Sequence, residues 1–229
     1  METLRGRTAL ITGAAGGLGN HIARALALEG MTVVITGRRQ DALTNLETEL
    51  RRAGAQAHGI PADLSDLSAP MLLARSLIGG MLARGHGHMV FISSAAGKLG
   101  PAYQQPYAAS KAGLIGLTQS LRAEYLGAPV GFSVICPGFI AGDGMYQRMA
   151  DEGFTSNRLM SQTTSRRVTA QVIRAVREDL PELIETGSPV RPIYALYQLA
   201  PGLVERLAPR FGITELYRRV ALARGRGPG

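Results

Sequence analysis

Apolar positions follow two patterns that alternate along the chain. Short continuous runs, such as 8–11 and 32–36, are typical of strands that are buried on both faces. Between these runs, apolar residues recur three or four positions apart, as they do on one face of a helix. Strands that alternate with helices predict an α/β fold with a parallel sheet. The predicted strands are 8–11, 32–36, 55–60, 88–93, 130–135 and 182–184, and the predicted helices are 16–30, 39–53, 70–84, 106–126 and 169–177.

A chain of 229 residues is long enough for one domain with a sizeable core. We take 1–188 as the main part of that domain. Residues 189–229 are predicted to be its helical C-terminal extension, with two or three short amphipathic helices separated by prolines. The stretch 142–167 carries several methionines and glycines and is predicted to be mobile. It is either an apolar lid or a disordered surface loop.

The composition indicates a soluble globular protein, since 45% of the residues are hydrophobic and no apolar run is long enough to span a bilayer. No charged-then-apolar leader follows Met1. Cys136 is the only cysteine, so no internal disulfide can form, and a reducing, cytoplasmic compartment fits. Its place in an apolar run predicts a buried thiol rather than a reactive one.

The net charge is +8 and is carried almost entirely by arginine. A basic tail can attract phosphates, nucleic acid or an anionic membrane surface. The arginines of 166–229 are dispersed among apolar residues rather than gathered in a run, which is typical of solvated helix faces. We therefore expect no nucleic-acid partner and no membrane contact through the tail.

A glycine-rich turn connects the first predicted strand to the first helix, in the sequence TALITGAAGGLG at 8–19. Glycines allow a backbone to approach a pyrophosphate closely, and the start of the helix offers free N–H groups to phosphates. The turn therefore predicts dinucleotide binding. An ordinary tight strand-to-helix turn is the alternative.

Tyr107 and Lys111 are four residues apart on a predicted helix, so they share one face of it. Ser94 ends the preceding strand. A free phenol has a pKa of about 10, and a nearby ammonium group stabilises the phenolate. Such a pair is therefore suited to proton transfer, although a pair of surface side chains is the alternative. Tyr103 is a weaker candidate base, because the residue four positions after it is not a lysine.

In this order and context, the motifs resemble those of the short-chain dehydrogenase/reductase family, over about residues 5–188. The resemblance rests on the TGxxxGxG pattern (Thr12, Gly13, Gly17, Gly19), the YxxxK pattern (Tyr107, Lys111), Ser94 in ISSAAG and Pro137-Gly138. It implies a doubly wound, Rossmann-like parallel sheet with helices on both faces. It also implies hydride transfer between a nicotinamide cofactor and a small or lipid-like alcohol or ketone. Tyr107 would be the general acid/base, Lys111 would tune it and hold the nicotinamide ribose, and Ser94 would polarise the substrate oxygen.

The cofactor preference follows from the end of the second strand. Proteins that bind NAD usually place an acid there for the ribose 2′-hydroxyl, whereas this chain has Arg38 and Arg39, which suit a 2′-phosphate. We predict that the cofactor is NADP(H), with NAD(H) as the alternative, and that the site holds no metal. The alternative for the two arginines is that they only begin a helix on the surface. The predicted cofactor-binding residues are Thr12, Gly13, Ala15, Gly16, Gly17, Leu18, Gly19, Arg38, Arg39, Asp63, Leu64, Tyr107, Lys111, Pro137 and Gly138.

The chain departs from the family between the third strand and the next long helix. The family has a fourth strand with an Asn-Asn-Ala-Gly motif, central in the sheet, and this chain instead reads DLSDLSAP at 63–70. Asp66 stands where the family has its catalytic asparagine, and Gly142 where it usually has threonine. One central strand is therefore predicted to be missing, and either the next strand closes against the first or the chain folds poorly.

Three functions stay open on this evidence. The chain is an active NADP(H)-dependent oxidoreductase, a non-catalytic relative that binds nucleotide or a partner, or a shortened product of an active parent enzyme. Members of the family usually pair through the two long helices, here 70–84 and 106–126, so a homodimer or homotetramer is expected.

Overall fold

The computed structural model describes residues 3–64, 66, 68–142, 144–154, 162–207, 210 and 212–225. The strands formed by these residues are β1 (Thr8–Thr12), β2 (Thr32–Gly37), β3 (Ala57–Pro61), β4 (Gly87–Ile92), β5 (Val130–Pro137), β6 (Phe139–Ala141), β7 (Gln162–Thr164) and β8 (Glu182–Glu185). The helices are α1 (Gly17–Leu28), α2 (Gln40–Arg52), α3 (Ala69–Arg84), α4 (Gln105–Glu124), α5 (Gly144–Asp151), α6 (Ser165–Glu178), α7 (Arg191–Leu199), α8 (Pro201–Leu207) and α9 (Ile213–Ala223), together with a short 3₁₀ helix, Ala95–Gly97.

The strands form parallel sheets, as the alternation of elements predicts. One sheet has the order β1-β2-β3 and is parallel throughout, with Leu10 opposite Val34 in its register. A second sheet has the order β4-β5-β8, in which β5 and β8 run parallel. The strands β6 and β7 form a parallel pair. In the strand orders of the described residues, β1 stands at one end of its sheet, next to β2, and β4 stands at one end of its own, next to β5.

The chain divides into two compact units made of interleaved segments. The first, called unit 1, comprises Met1–Val90, Tyr125–Ser133 and Ser165–Leu180, and the second, unit 2, comprises Phe91–Glu124, Val134–Thr164 and Pro181–Gly229. Each unit therefore combines segments that are distant in the sequence.

The core of unit 1 forms where α2 covers β2. Val33 and Ile35 of β2 and Leu43 of α2 are fully buried, and the spacing of Leu43, Leu46 and Leu50 gives α2 its one apolar face. Helix α1 packs against α6, and Arg177 of α6 forms an ion pair with Glu29 just after α1. Helix α6 begins at Ser165, four residues before the predicted start.

A partly buried polar network joins β4 and β5 within unit 1. His88 Nε2 lies 2.8 Å from Ser133 Oγ, and that hydroxyl donates to the carbonyl oxygen of Leu180. His88 Nδ1 lies 3.9 Å from an oxygen of Asp179. Gly131 makes this possible, because a Cβ there would lie 2.6 Å from the Asp179 carboxylate.

Unit 2 has one core cluster along β5 and another under the C-terminal helices. Val134 and Cys136 of β5 pack with Ile115 of α4. The second cluster consists of Met149, Leu216, Tyr217 and Val220, with Tyr103, Phe139, Phe154 and Ile213 packed against it. The predicted tail helices therefore exist as α7, α8 and α9. No helix among the described residues has both the length and the apolar character needed to cross a membrane.

The stretch 142–167 contains more regular structure than predicted. It includes α5, β7 and the beginning of α6, and Met149 of α5 is buried. Residues 155–161, on which part of the lid prediction rests, lie outside the described residues.

Candidate active site

The glycine-rich turn of unit 1 is folded as a phosphate-binding turn would be. β1 ends at Thr12, and Gly13 follows with a φ of +67°, in the left-handed region that favours glycine. Ala14 N then donates to the carbonyl oxygen of Thr36 in β2, over 3.0 Å. A Cβ at Gly19 would lie 2.9 Å from the carbonyl carbon of Gly13, so only glycine lets α1 start this close to the turn.

The beginning of α1 leaves backbone N–H groups available to an anion. Gly16 precedes the helix, has no side chain to cap it, and the first turn of α1, with Gly17, Leu18 and Gly19, contains no acidic residue. The positive end of the helix dipole adds to the attraction. Within the described residues, this is the part of unit 1 best suited to hold phosphate groups.

Arg39 lies against this turn. Its Nη2 donates to the carbonyl oxygen of Ala15, and Gly37 at the end of β2 lies close to the same alanine. Arg38, the neighbouring arginine, is exposed. Asp63 and Leu64 follow the end of β3 and are also exposed. Of the two arginines predicted to select the cofactor, Arg39 is thus the one whose guanidinium contacts the turn.

Ser94 in unit 2 is held at the end of β4 by backbone contacts. Its hydroxyl accepts a hydrogen bond from Ala96 N over 3.2 Å, which caps the 3₁₀ helix, and donates a long one, 3.4 Å, to the carbonyl oxygen of Pro137. The side chain is buried. Its neighbour Ser93 donates to the carbonyl oxygen of Lys111, over 2.7 Å. These bonds fix the end of β4 against α4 and β5.

Tyr107 and Lys111 lie one turn apart on α4, as their spacing predicts. Lys111 Nζ lies 5.7 Å from the centre of the Tyr107 ring and donates to the carbonyl oxygen of Ile92, over 2.9 Å. Burial lowers the pKa of Lys111 below its ordinary value. Gly97 allows the close packing, since a Cβ there would lie 2.7 Å from the Lys111 carbonyl carbon.

Ser94 and Tyr107 line one cavity of about 600 Å³ in unit 2. Gly138, which follows Pro137 at the end of β5, lines it too, and Gly138 N donates to the carbonyl oxygen of Glu185 over 2.9 Å. Most of the wall is apolar or aromatic. The structure therefore brings together Ser94, Tyr107, Lys111 and Gly138 within unit 2.

The C-terminal helices supply a large part of the cavity wall. The sequence alone did not predict this contribution. Tyr194, Tyr197 and Tyr217 line the cavity together with Val204 and Glu205. Burial raises the pKa of Tyr194 to about 12, and burial and then the neighbouring Tyr107 raise the pKa of Tyr217 to about 12. Both phenols therefore stay neutral at ordinary pH. The sequence predicts these C-terminal helices from the apolar spacing of the tail. That spacing does not reveal where the helices pack, so it could not place their tyrosines in the cavity wall.

Two departures from the family pattern have a local structural reason. Gly142 has a φ of +82°, which favours glycine over the usual threonine. The Asp66 carboxylate is exposed and accepts hydrogen bonds from Ser68 N and Ser68 Oγ, over 2.7 and 2.6 Å, at the beginning of α3. These bonds lower the pKa of Asp66. The Asp66 side chain thus holds Ser68, the residue that directly precedes α3.

Cys136 is fully buried in β5, as its place in an apolar run predicts. Burial is the main reason that its pKa is raised to about 12. The thiol is therefore protonated at ordinary pH and is not a nucleophile.

Comparison with known proteins identifies the class. The short chain dehydrogenase family matches this chain over residues 7–70 and again over 66–153. Ketoacyl reductase HetN of Nostoc sp. is 31% identical over 274 aligned positions, which cover 96% of this chain and 94% of that protein. A 3-oxoacyl-(acyl-carrier-protein) reductase of Rickettsia conorii is 32% identical over 62% of this chain and 76% of its own length. The chain belongs to the short-chain dehydrogenase/reductase family of oxidoreductases.

Solved structures share the fold. A short-chain dehydrogenase/reductase from Burkholderia phymatum, in complex with NAD, matches with a TM-score of 0.74 at 20% identity, over 89% of this chain and 96% of that one. A 3-oxoacyl-(acyl-carrier-protein) reductase from Agrobacterium tumefaciens, with NADP bound, matches with a TM-score of 0.72 at 22% identity, over 81% and 95%. The Rossmann-like parallel fold with helices on both faces is thereby confirmed.

Proposed function

We propose that this protein is an NADP(H)-dependent reductase of ketones, with Tyr107 as its proton donor. The observation that carries the proposal is that Ser94 and Tyr107 line the same cavity, while the Lys111 ammonium lies 5.7 Å from the Tyr107 ring. Each group is suited to one task in carbonyl reduction, and the family has oxidoreductase activity.

The proposed roles follow from the atoms involved. NADPH, when bound, supplies the hydride for the carbonyl carbon. Ser94 Oγ donates a hydrogen bond to the carbonyl oxygen and polarises it, and Tyr107 gives its phenolic proton to that oxygen as negative charge develops there. Lys111 stabilises the phenolate that remains. In the oxidative direction the same proton returns to Tyr107.

The glycine turn of unit 1 fits the phosphates of a dinucleotide. A side chain at Gly19 would collide with Gly13, and the beginning of α1 has no capping side chain, so backbone N–H groups stay available. The preference for NADP(H) rests on Arg39, whose guanidinium contacts the same turn and suits a 2′-phosphate. Arg38 and the exposed Asp63 and Leu64 are assigned to the adenosine end by resemblance alone.

The substrate is proposed to be a small or lipid-like ketone. The cavity of about 600 Å³ has mainly apolar and aromatic walls, which favours a substrate with a hydrophobic body. Several relatives are ketoacyl and 3-oxoacyl reductases by name, which supports a 3-oxo compound.

A second candidate is a relative that binds the nucleotide without turning over a substrate. Asp66 favours it, because its carboxylate is bound to Ser68 at the start of α3, at the position of the family's catalytic asparagine. Binding of NADPH with no reduction of any ketone would support this candidate.

The test compares two tyrosine variants with ethyl acetoacetate as substrate. Tyr107→Phe is expected to lower turnover by about 10²–10⁴-fold, the usual contribution of a general acid, with NADPH affinity little changed. Tyr103→Phe is the matched control, because that side chain packs against the Met149 cluster, and it should retain turnover. If turnover survives in Tyr107→Phe and is lost in Tyr103→Phe, Tyr103 and not Tyr107 is the proton donor, and the proposal is wrong.

A further inference from the structure

The cavity of unit 2 has a carboxylate in its wall that the proposed reduction does not use. Among the described residues that line it, Glu205 of α8 is the only one with a charged side chain. No described lysine, arginine or histidine belongs to the wall, and Arg206 and Arg210, which follow Glu205 in the sequence, do not line it either. The wall therefore carries one negative charge and no positive charge that would balance it.

Glu205 also has no cationic partner elsewhere in the described part of the chain. Other carboxylates of unit 2 are paired, such as Glu215 with Arg218 over 2.7 Å and Glu182 with Lys98 over 2.8 Å. Glu205 forms no ion pair or hydrogen bond with any described residue. Its carboxylate is therefore available to a ligand in the cavity.

The aromatic residues of the same wall also favour a cation. Tyr194 and Tyr217, whose pKa is raised to about 12, stay neutral at ordinary pH. The face of a neutral aromatic ring carries partial negative charge and attracts an ammonium group. The aromatic residues that line the cavity are Tyr107, Phe139, Tyr146, Tyr194, Tyr197 and Tyr217. The rings and the carboxylate therefore favour the same kind of ligand group.

The position of the charges determines where that group must lie in the ligand. The Lys111 ammonium lies 5.7 Å from the Tyr107 ring, so a second cation is disfavoured near the reacting end of the cavity. Ser94 at that end is buried, whereas Glu205 is exposed and so lies on the solvent side of the wall. A ketone that suits both ends has its cationic group far from the carbonyl. A volume of about 600 Å³ is large enough for such a molecule.

We propose that the cavity takes a ketone whose hydrophobic body carries an ammonium group, and that Glu205 binds this group. The inference rests on the proposed reductase function and narrows its substrate to cationic ketones. The Glu205 carboxylate supplies the attracting charge, and the tyrosine rings supply a surface for the cation. Glu205 is therefore a specificity-determining residue, which acts at a distance from the proton transfer of Tyr107.

The test uses two esters of acetoacetic acid that have the same shape and differ in charge. One is the choline ester, and the other is its neutral analogue, in which a carbon atom replaces the charged nitrogen. Isothermal titration calorimetry without NADPH measures the Kd of each ester, so that no turnover takes place. The quantity compared between variants is the ratio of the two Kd values, because the neutral ester corrects for the apolar part of binding.

Glu205→Gln is expected to lower the preference for the charged ester by about three- to tenfold relative to the parent chain, the range of one partly solvated ion pair. The substitution keeps the shape of an exposed side chain, so the variant should fold. Glu215→Gln is the matched control, because it removes an exposed carboxylate that does not line the cavity, and it should keep the parent ratio. Equal ratios in the parent and Glu205→Gln would overturn the proposal, as would an equal drop in both variants or binding of neither ester.

The same esters with NADPH added separate this inference from the proposed reductase activity. The ratio of their kcat/KM values should change in Glu205→Gln as the Kd ratio does. Turnover of both esters at a ratio that Glu205→Gln leaves unchanged would overturn the cation site and leave the reductase. A Kd preference that depends on Glu205, without turnover of either ester, would support the cation site and contradict the reductase.

Discussion

Lys111 is held between two opposing influences. Burial removes water from its ammonium group and disfavours the charged form, while the neighbouring Cys136 has the opposite, smaller effect. The ammonium group donates to the carbonyl oxygen of Ile92. Burial is the larger influence and lowers the pKa of Lys111 below 10.5 in the folded chain. The charged lysine is therefore kept beside Tyr107 at a cost in stability.

That cost predicts a pH dependence. Between the lowered pKa and 10.5, the unfolded chain binds more protons at this site than the folded chain, so the parent gains stability as pH rises. Lys111→Met removes the titrating group. We expect the stability of the parent relative to Lys111→Met to increase with pH across this window, as measured by denaturant unfolding. A difference that stays constant with pH would contradict the assigned effect of burial.

Arg39 gives the second prediction at this scale. Arg39→Gln should weaken NADPH binding by about 10–100-fold, since a hydrogen bond to a charged group contributes about 1.5–3 kcal/mol. NADH affinity should change little, because NADH has no 2′-phosphate. Arg38→Gln is the matched control in a fluorescence titration with both cofactors. If Arg38→Gln loses more NADPH affinity than Arg39→Gln, Arg38 is the residue that binds the 2′-phosphate. If the parent binds NADH more tightly than NADPH, the proposed preference for NADP(H) is wrong.

Single residues were predictable where the chemistry is local in sequence. Tyr107 and Lys111 are four apart, so a helix alone brings them together, and Gly13 and Gly19 follow from one turn. Residues that meet through distant packing were not predictable. His88 and Ser133 are 45 positions apart, and Tyr194 reaches the cavity only because α7 packs there.

At the scale of elements, α9 is integrated into a core cluster of unit 2. Leu216, Tyr217 and Val220 are buried in one cluster with Met149 of α5. Helix α7 has no fully buried residue, and Leu199 at its end is 85% exposed. The two helices therefore contribute differently to the stability of unit 2, although both are amphipathic.

This difference predicts a matched pair of substitutions. Leu216→Ala should destabilise the protein by about 2–5 kcal/mol, because it leaves a cavity where the side chain is 1% exposed. Leu199→Ala should change stability by about 0.5 kcal/mol or less. Urea unfolding of both variants is the measurement. Equal effects would indicate that α9 is not packed as the structure has it.

The types and the order of the elements were largely predictable from the sequence. Apolar spacing gave β1, β2, α2 and α4 to within a residue or two, because each pattern is set by local geometry. The edge positions of β1 and β4 could not be read from their own residues, since TALIT looks like a central strand. Pairing is decided by the neighbouring strands, which the residues of one strand do not reveal.

At the scale of the whole molecule, three expectations stay predictions: the partners, the oligomeric state and the location. The net charge of +8 is spread over arginines, several of which form ion pairs, such as Arg218 with Glu215 over 2.7 Å. Such a distribution does not favour a nucleic-acid or membrane partner. The homodimer or homotetramer through α3 and α4, and the cytoplasmic location, are also untested expectations; sedimentation of the purified chain measures the first.

The interleaved segments of unit 1 have a consequence for the newborn chain. Helix α1 ends at Leu28, whereas α6, which packs against it, begins at Ser165. At about 5–20 residues per second, a ribosome needs on the order of ten seconds to make the residues between them. Throughout that delay the side of α1 that faces α6 in the folded protein lacks its native cover. The rate of translation thus limits how early α6 can pack against α1 and complete the fold of unit 1.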